Sequence, residues 1–76
     1  MAKPQNVVGP QLRKLRYQHG LTQEMLAARC ARYRWDISRG TLAKIEAQVR
    51  CVSDAELIVL AKALQVKVDE LLSPRR

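Results

Sequence analysis

Two helix-length patterns, LTQEMLAARC and SRGTLAKIEA, sit close together between Leu21 and Glu46, with basic residues along the second and between the two. Thr22 is placed as an N-cap for the first, and Gln23 and Glu24 fill its first turn, where a carboxylate favours the positive end of a helix. Leu26, Ala27 and Cys30 supply an inward face, so a helix is expected from Gln23 to at least Arg29. Its exit is open. The stretch ARYRWDI, Ala31 to Ile37, holds neither Gly nor Pro, and the helix either stops early or runs on through Arg32 or Tyr33 before turning near Trp35 and Asp36. Ser38 then caps a further helix, Arg39 to Ala47, with Leu42 and Ile45 inward and Arg39, Gly40, Ala43 and Lys44 sharing the outer face. Gly40 costs about 1 kcal/mol of helix propensity relative to Ala, but near a helix start it allows another backbone to approach closely.

The flanks are punctuated in the same way. Pro10 suits a first helical turn, Val8, Leu12 and Leu15 recur at helical spacing, and Gly20 closes the segment, which sets a helix over Gly9 to His19. Ser53-Asp54-Ala55-Glu56 is a capping box, and Leu57, Leu60, Ala61 and Leu64 continue from it on one face. Val68 to Leu72 makes a short fifth helix, ended by Ser73-Pro74. A chain of 76 residues has room for one domain and buries only about 60% of its unfolded surface. The expectation is one compact all-α domain over residues 8–73, with a flexible arm at 1–7 and a tail at 74–76. The single Lys3 gives the arm little reach into a minor groove.

The formal charge of +7 is placed unevenly. Residues 1–50 carry ten Lys and Arg against three acids, whereas residues 51–76 carry four against four. The excess therefore lies around the helix pair, where a polyanion is the expected partner. Cys30 and Cys51 show no C-x-x-C spacing and no neighbouring His, so no metal or other cofactor is expected. Cys30 falls on an apolar helical face, where it packs as a small hydrophobe in a reducing compartment. No signal-peptide pattern and no membrane-length apolar run are present in the sequence, which sets the expectation of a soluble, cytoplasmic protein.

LRKLRYQHGLTQEMLA, TLAKIEA and LIVLAKALQVKVDELL follow one another at a spacing that resembles the lambda-repressor-like helix-turn-helix family, the Cro and phage-repressor (XRE) type. The resemblance covers Val8 to Leu72 and implies a compact five-helix DNA-binding domain. It departs from the family between Cys30 and Ser38, where about five extra residues lengthen the turn and Trp35 is expected to cover the gap. What the resemblance implies for side chains is specific. Helix 39–47 would read base edges in the major groove, with Arg39 directed at guanine, Lys44 at a base or phosphate, and Gly40 and Ala43 on the same face. Thr22, Gln23, Thr41, Gln48 and Arg50 would hold the DNA backbone, and Arg32 and Arg34 of the insertion would add to that surface. Arg16 and Glu46 match a pair joining the first and third helices, which is structural.

A sequence-specific regulator of double-stranded DNA, acting as a repressor, is thus the expected function. Helices four and five, nearly neutral and rich in Val and Leu, are the expected homodimer surface. The rival is a protein-interaction module on the same fold, such as an antitoxin or adaptor, which Arg39, Lys44 and Arg50 disfavour because they suit phosphate better than an apolar partner. An enzyme is not expected, because the lone His19 has no carboxylate pair, nucleophile or phosphate-cradling loop beside it.

Overall fold

The computed structural model describes residues 5–72, folded into α1 Gly9–Gln18, α2 Gln23–Ala31, α3 Arg39–Glu46, α4 Asp54–Leu64 and α5 Val68–Leu72, with no strand among the described residues. The all-α expectation holds. α3 packs on α1 and α2, α2 also packs on α4, and α5 closes against α1 and α4. The core is aliphatic: Leu12, Leu26, Leu42, Ile45, Leu60, Leu64 and Leu71 are fully buried, with Cys30 among them. Burial pushes the Cys30 thiol up to about 11, so it stays protonated and packs as a hydrophobe, while Cys51 is a second free thiol at the surface.

The starts of α2, α3 and α4 are each held by the side chain of the N-cap residue. Thr22, Ser38 and Ser53 accept from the backbone amides of Met25, Thr41 and Glu56 at 3.0, 3.1 and 3.2 Å, and Glu56 returns the contact to the Ser53 amide. Such caps satisfy amides that the helix leaves orphaned and contribute about 1 kcal/mol each. Each of the first four helices ends with a left-handed residue and the same pair of backward hydrogen bonds. The left-handed positions are Gly20, Arg34, Gln48 and Gln65, with φ between 60° and 68°. The residue after each one donates five positions back, as in Leu21 to Arg16 and Val66 to Ala61. This is the Schellman ending, and only Gly20 meets it without a Cβ penalty.

That ending also settles the long turn. α2 stops at Ala31 and does not run on through Tyr33, because Arg34 takes the left-handed conformation and the Trp35 amide reaches back to the Cys30 carbonyl at 3.2 Å. Residues 35–38 are irregular, with the Ile37 amide turned back onto the Trp35 carbonyl at 2.9 Å, and Ser38, the α3 cap, is extended. Ile37 is buried and Trp35 packs half-buried against the core, so the additional residues add core as well as length.

The N-terminal expectation needs correction for residues 5–7. Asn6 uses all four hydrogen-bonding positions of its amide: Nδ2 donates to the carbonyls of Ile45 at 3.1 Å and Arg50 at 2.7 Å, and Oδ1 accepts from the amides of Val8 at 3.1 Å and Gly9 at 2.8 Å. The Gln5 amide donates to the Gln48 carbonyl at 2.9 Å. This segment is therefore a clasp between the start of α1 and the end of α3. Gly9 is part of it, since a Cβ there would sit 2.5 Å from the Ile45 carbonyl oxygen. The rest of the expected arm, residues 1–4, and the tail with Ser73 lie outside the described residues.

Candidate nucleic-acid interface

The geometry of the charged surface starts from one buried carboxylate. Glu46, on the last turn of α3, accepts from Arg16 Nε at 2.7 Å and Arg16 Nη2 at 3.0 Å, both from α1, and from Gln23 Nε2 at 3.1 Å, from the start of α2. Arg16 Nη1 reaches the Leu21 carbonyl at 2.8 Å, in the link between those two helices. Arg16 and Glu46 are each about 5% exposed in their side chains, and the shared hydrogen bonds raise the Arg16 guanidinium above its ordinary pKa. Three helices therefore meet on one carboxylate, which fixes the angle at which α3 is presented. Buried charges of this kind are tolerated only when every polar position is matched, and here they are.

Outside this network lies a groove of about 660 Å³, lined by Arg13, Arg16 and Tyr17 of α1, Gly20 to Glu24, and Arg39, Ala43, Glu46 and Ala47. It brings together two residues expected at base edges, Arg39 and Ala43, with two expected at the backbone, Thr22 and Gln23. One proton of the Gln23 amide is committed to Glu46 and the other remains for a ligand. The outer face of α3 carries exposed Arg39, Gly40 and Lys44, with Thr41 and Ala43 half-buried. The Thr41 hydroxyl accepts from Ser38 at 3.0 Å and keeps its own proton for donation.

Two residues expected at the DNA backbone, Arg50 and Gln48, also make contacts within the chain. The Arg50 guanidinium is spread over Glu56, Nη1 to Oε1 at 3.1 Å and Nη2 to Oε2 at 3.0 Å, and it also donates to the Cys51 carbonyl. Arg50 holds the Glu56 carboxyl below the usual carboxylate range, and the pair ties the exit of α3 to the cap of α4. Gln48 likewise spends its side-chain amide on the Asn6 carbonyl at 3.0 Å. In this structure both act as braces, Arg50 with three of its five N–H groups engaged and Gln48 with one of its two amide protons. Arg32 and Arg34 are exposed beyond the end of α2, and neither lines the groove.

Sequence reasoning passed over Arg13 and Tyr17. Arg13 Nη2 donates to the Tyr17 hydroxyl at 3.5 Å, and the Tyr17 ring takes the Arg13 and Arg16 guanidinium carbons at 5.5 and 4.7 Å from its centroid. The Arg13 contact lowers the Tyr17 phenol from its ordinary pKa. The signal was the i, i+3, i+4 spacing of Arg13, Arg16 and Tyr17, which sets them on one face.

A family model described as helix-turn-helix matches residues 12–71 of the chain. The chain belongs to this helix-turn-helix family. The family is that of the Cro and phage-repressor type, lambda-repressor-like proteins, and its members are DNA-binding regulators of double-stranded DNA. No curated protein and no solved structure matches the chain at a significant level. As a helix-turn-helix domain it pairs α2 with α3, and the match spans the long turn between them. Among the described residues no helix is long and apolar enough to cross a membrane, and no group of three or more metal-binding side chains is present.

Gly40 bears on how this helix-turn-helix domain meets its ligand. A Cβ at Gly40 would find only Ser38 Oγ, at 3.9 Å, so nothing within the chain requires glycine there. Gly40→Ala is therefore expected to stabilise the free domain by about 0.5–1 kcal/mol, read by urea denaturation. If DNA backbone approaches at this point, the same variant binds duplex more weakly, and unchanged affinity in anisotropy titrations would show that the space is not used.

Proposed function

We propose that the chain is a sequence-specific transcriptional repressor that binds double-stranded DNA and reads the major groove with residues 39–47. The observation that carries this is the groove that places Arg39 and Ala43 beside Thr22, Gln23 and Arg13, with the angle of α3 held by Glu46. Arg39 offers a fork of donors suited to guanine O6 and N7, and Lys44 lies farther along the same exposed face for a base or phosphate. Gly40 and Ala43 bring the helix close without hydrogen-bonding side chains. Thr22, Gln23, Thr41 and Arg13 supply donors for the backbone, which positions the domain without reading sequence. Arg32 and Arg34 add to the electrostatic attraction, which is screened by salt.

Arg39→Ala is expected to cost about 1–3 kcal/mol on the preferred site and to relax one base position. Selection from random duplexes followed by binding measurements on selected and scrambled sites tests this. Equal losses on both would remove Arg39 as a base reader, and failure to enrich any motif would favour a protein-interaction module. Repression itself is tested by placing the selected site over a promoter and measuring transcription with and without the protein.

Homodimer formation through α4 and α5 is part of the proposal. Ile58 and Leu72 on those helices are 48% and 44% exposed, which leaves apolar surface for a second copy. Two recognition helices would then address half-sites about 34 Å apart. Sedimentation with and without the selected duplex should give two protomers per site, whereas one per site at every concentration overturns this part.

A further inference from the structure

We propose that a second basic recess, between the C-terminal ends of α2 and α4, is a binding site for a phosphate dianion. It has a volume of about 110 Å³ and is lined by Arg29, Arg32, Tyr33, Lys62, Ala63 and Gln65. It shares no lining residue with the groove beside α3. On α2 the nearest lining residues of the two are Glu24 and Arg29, about 7.5 Å apart at the helical rise.

Three cations converge here and no acid lines the recess. Among the described residues the ion pairs are Arg16 with Glu46 and Arg50 with Glu56, so Arg29, Arg32 and Lys62 have no carboxylate against them. Arg29 Nη1 donates to the Ala63 carbonyl at 3.3 Å, which fixes one guanidinium at the mouth and leaves its other donors available. A helix C-terminus favours a cation in its last turn, and that accounts for Arg29 on α2 and Lys62 on α4 taken singly. Arg32 and Tyr33, just past the end of α2, continue its turn with amides donating to the Arg29 and Cys30 carbonyls at 3.1 and 2.9 Å, which sets them three and four positions after Arg29 at the same recess. Mutual repulsion among the three is relieved by a multivalent oxyanion that accepts from guanidinium, ammonium, phenol and amide donors together. A phosphate group has that charge and those acceptors. Its source is either a free phosphate compound or the backbone of DNA.

The test is a titration of the full chain with inorganic phosphate at constant ionic strength, against a chloride control, following backbone amide shifts by NMR. Saturable shifts are expected at residues 29–33 and 62–65. The exposed double variant Arg32→Gln/Lys62→Gln should bind phosphate at least about tenfold more weakly, while its melting temperature without phosphate stays unchanged. Non-saturating shifts, shifts confined to residues 22–24 and 39–41, or unchanged affinity in the double variant would overturn the site. Duplex binding separates the sources. If duplex displaces phosphate from residues 62–65, the phosphate is that of DNA; phosphate shifts at residues 29–33 and 62–65 that persist in saturating duplex assign a free phosphate compound. Neither result bears on whether Arg39 reads bases, since Arg39 lies outside the recess.

Discussion

Glu46→Ala is expected to cost about 3–5 kcal/mol, because it leaves Arg16 charged and buried with its main partner gone. A 76-residue domain has a total stability of roughly 4–11 kcal/mol, so the variant loses much of what holds it folded. Urea denaturation followed by far-ultraviolet circular dichroism measures the loss. The direction of the cost can be checked with Arg16→Met/Glu46→Leu, which removes both charges and should recover most of the stability. A loss below about 1 kcal/mol for Glu46→Ala would mean that the pair behaves like a surface ion pair and does not set the position of α3. The double variant is informative about function too. It should fold yet bind duplex more weakly, since Gln23 would have no carboxylate to hold it against α3.

The second large effect belongs to Asn6→Ala. This change removes the cap on the Val8 and Gly9 amides and strips a donor from the Ile45 and Arg50 carbonyls, an expected loss of about 2–4 kcal/mol. Asn6→Asp separates the two halves. A carboxylate keeps the acceptor for the helix start but cannot donate to the carbonyls at the end of α3, so it should fall between the parent and the Ala variant. Hydrogen exchange at the Gly9 amide reads the cap directly, and full protection of that amide in Asn6→Ala would refute the assignment.

The five helices and their caps were legible because they are local. Thr22, Ser38 and the Ser53–Glu56 box sit at fixed offsets from apolar periodicity, and the helix bounds follow within a residue or so. Asn6 was misread for a physical reason: Pro10 marks a helix start so clearly that the residues before Val8 looked free, whereas the cap acts across a further turn and its other partners are 39 and 44 residues away. The exit of α2 was open because its stop signal is Arg34 in a left-handed conformation, a role in which glycine is the readable residue. Part of the candidate interface was accessible on the same terms. The outward position of Arg39 and Lys44 follows from helical spacing alone, but the commitment of Arg50 to Glu56 depends on where α4 begins in space.

α3 divides its labour between two faces so completely that each can change alone. Leu42, Ile45 and Glu46 are its buried residues, whereas Arg39, Gly40 and Lys44 are exposed, with no ion pair among the described residues. Substitutions on the outward face therefore escape the stability threshold that constrains most positions of so small a domain. Under the proposed reading of the major groove by these positions, a lineage carrying this scaffold would drift from one target sequence to another by single replacements, with every intermediate still folded.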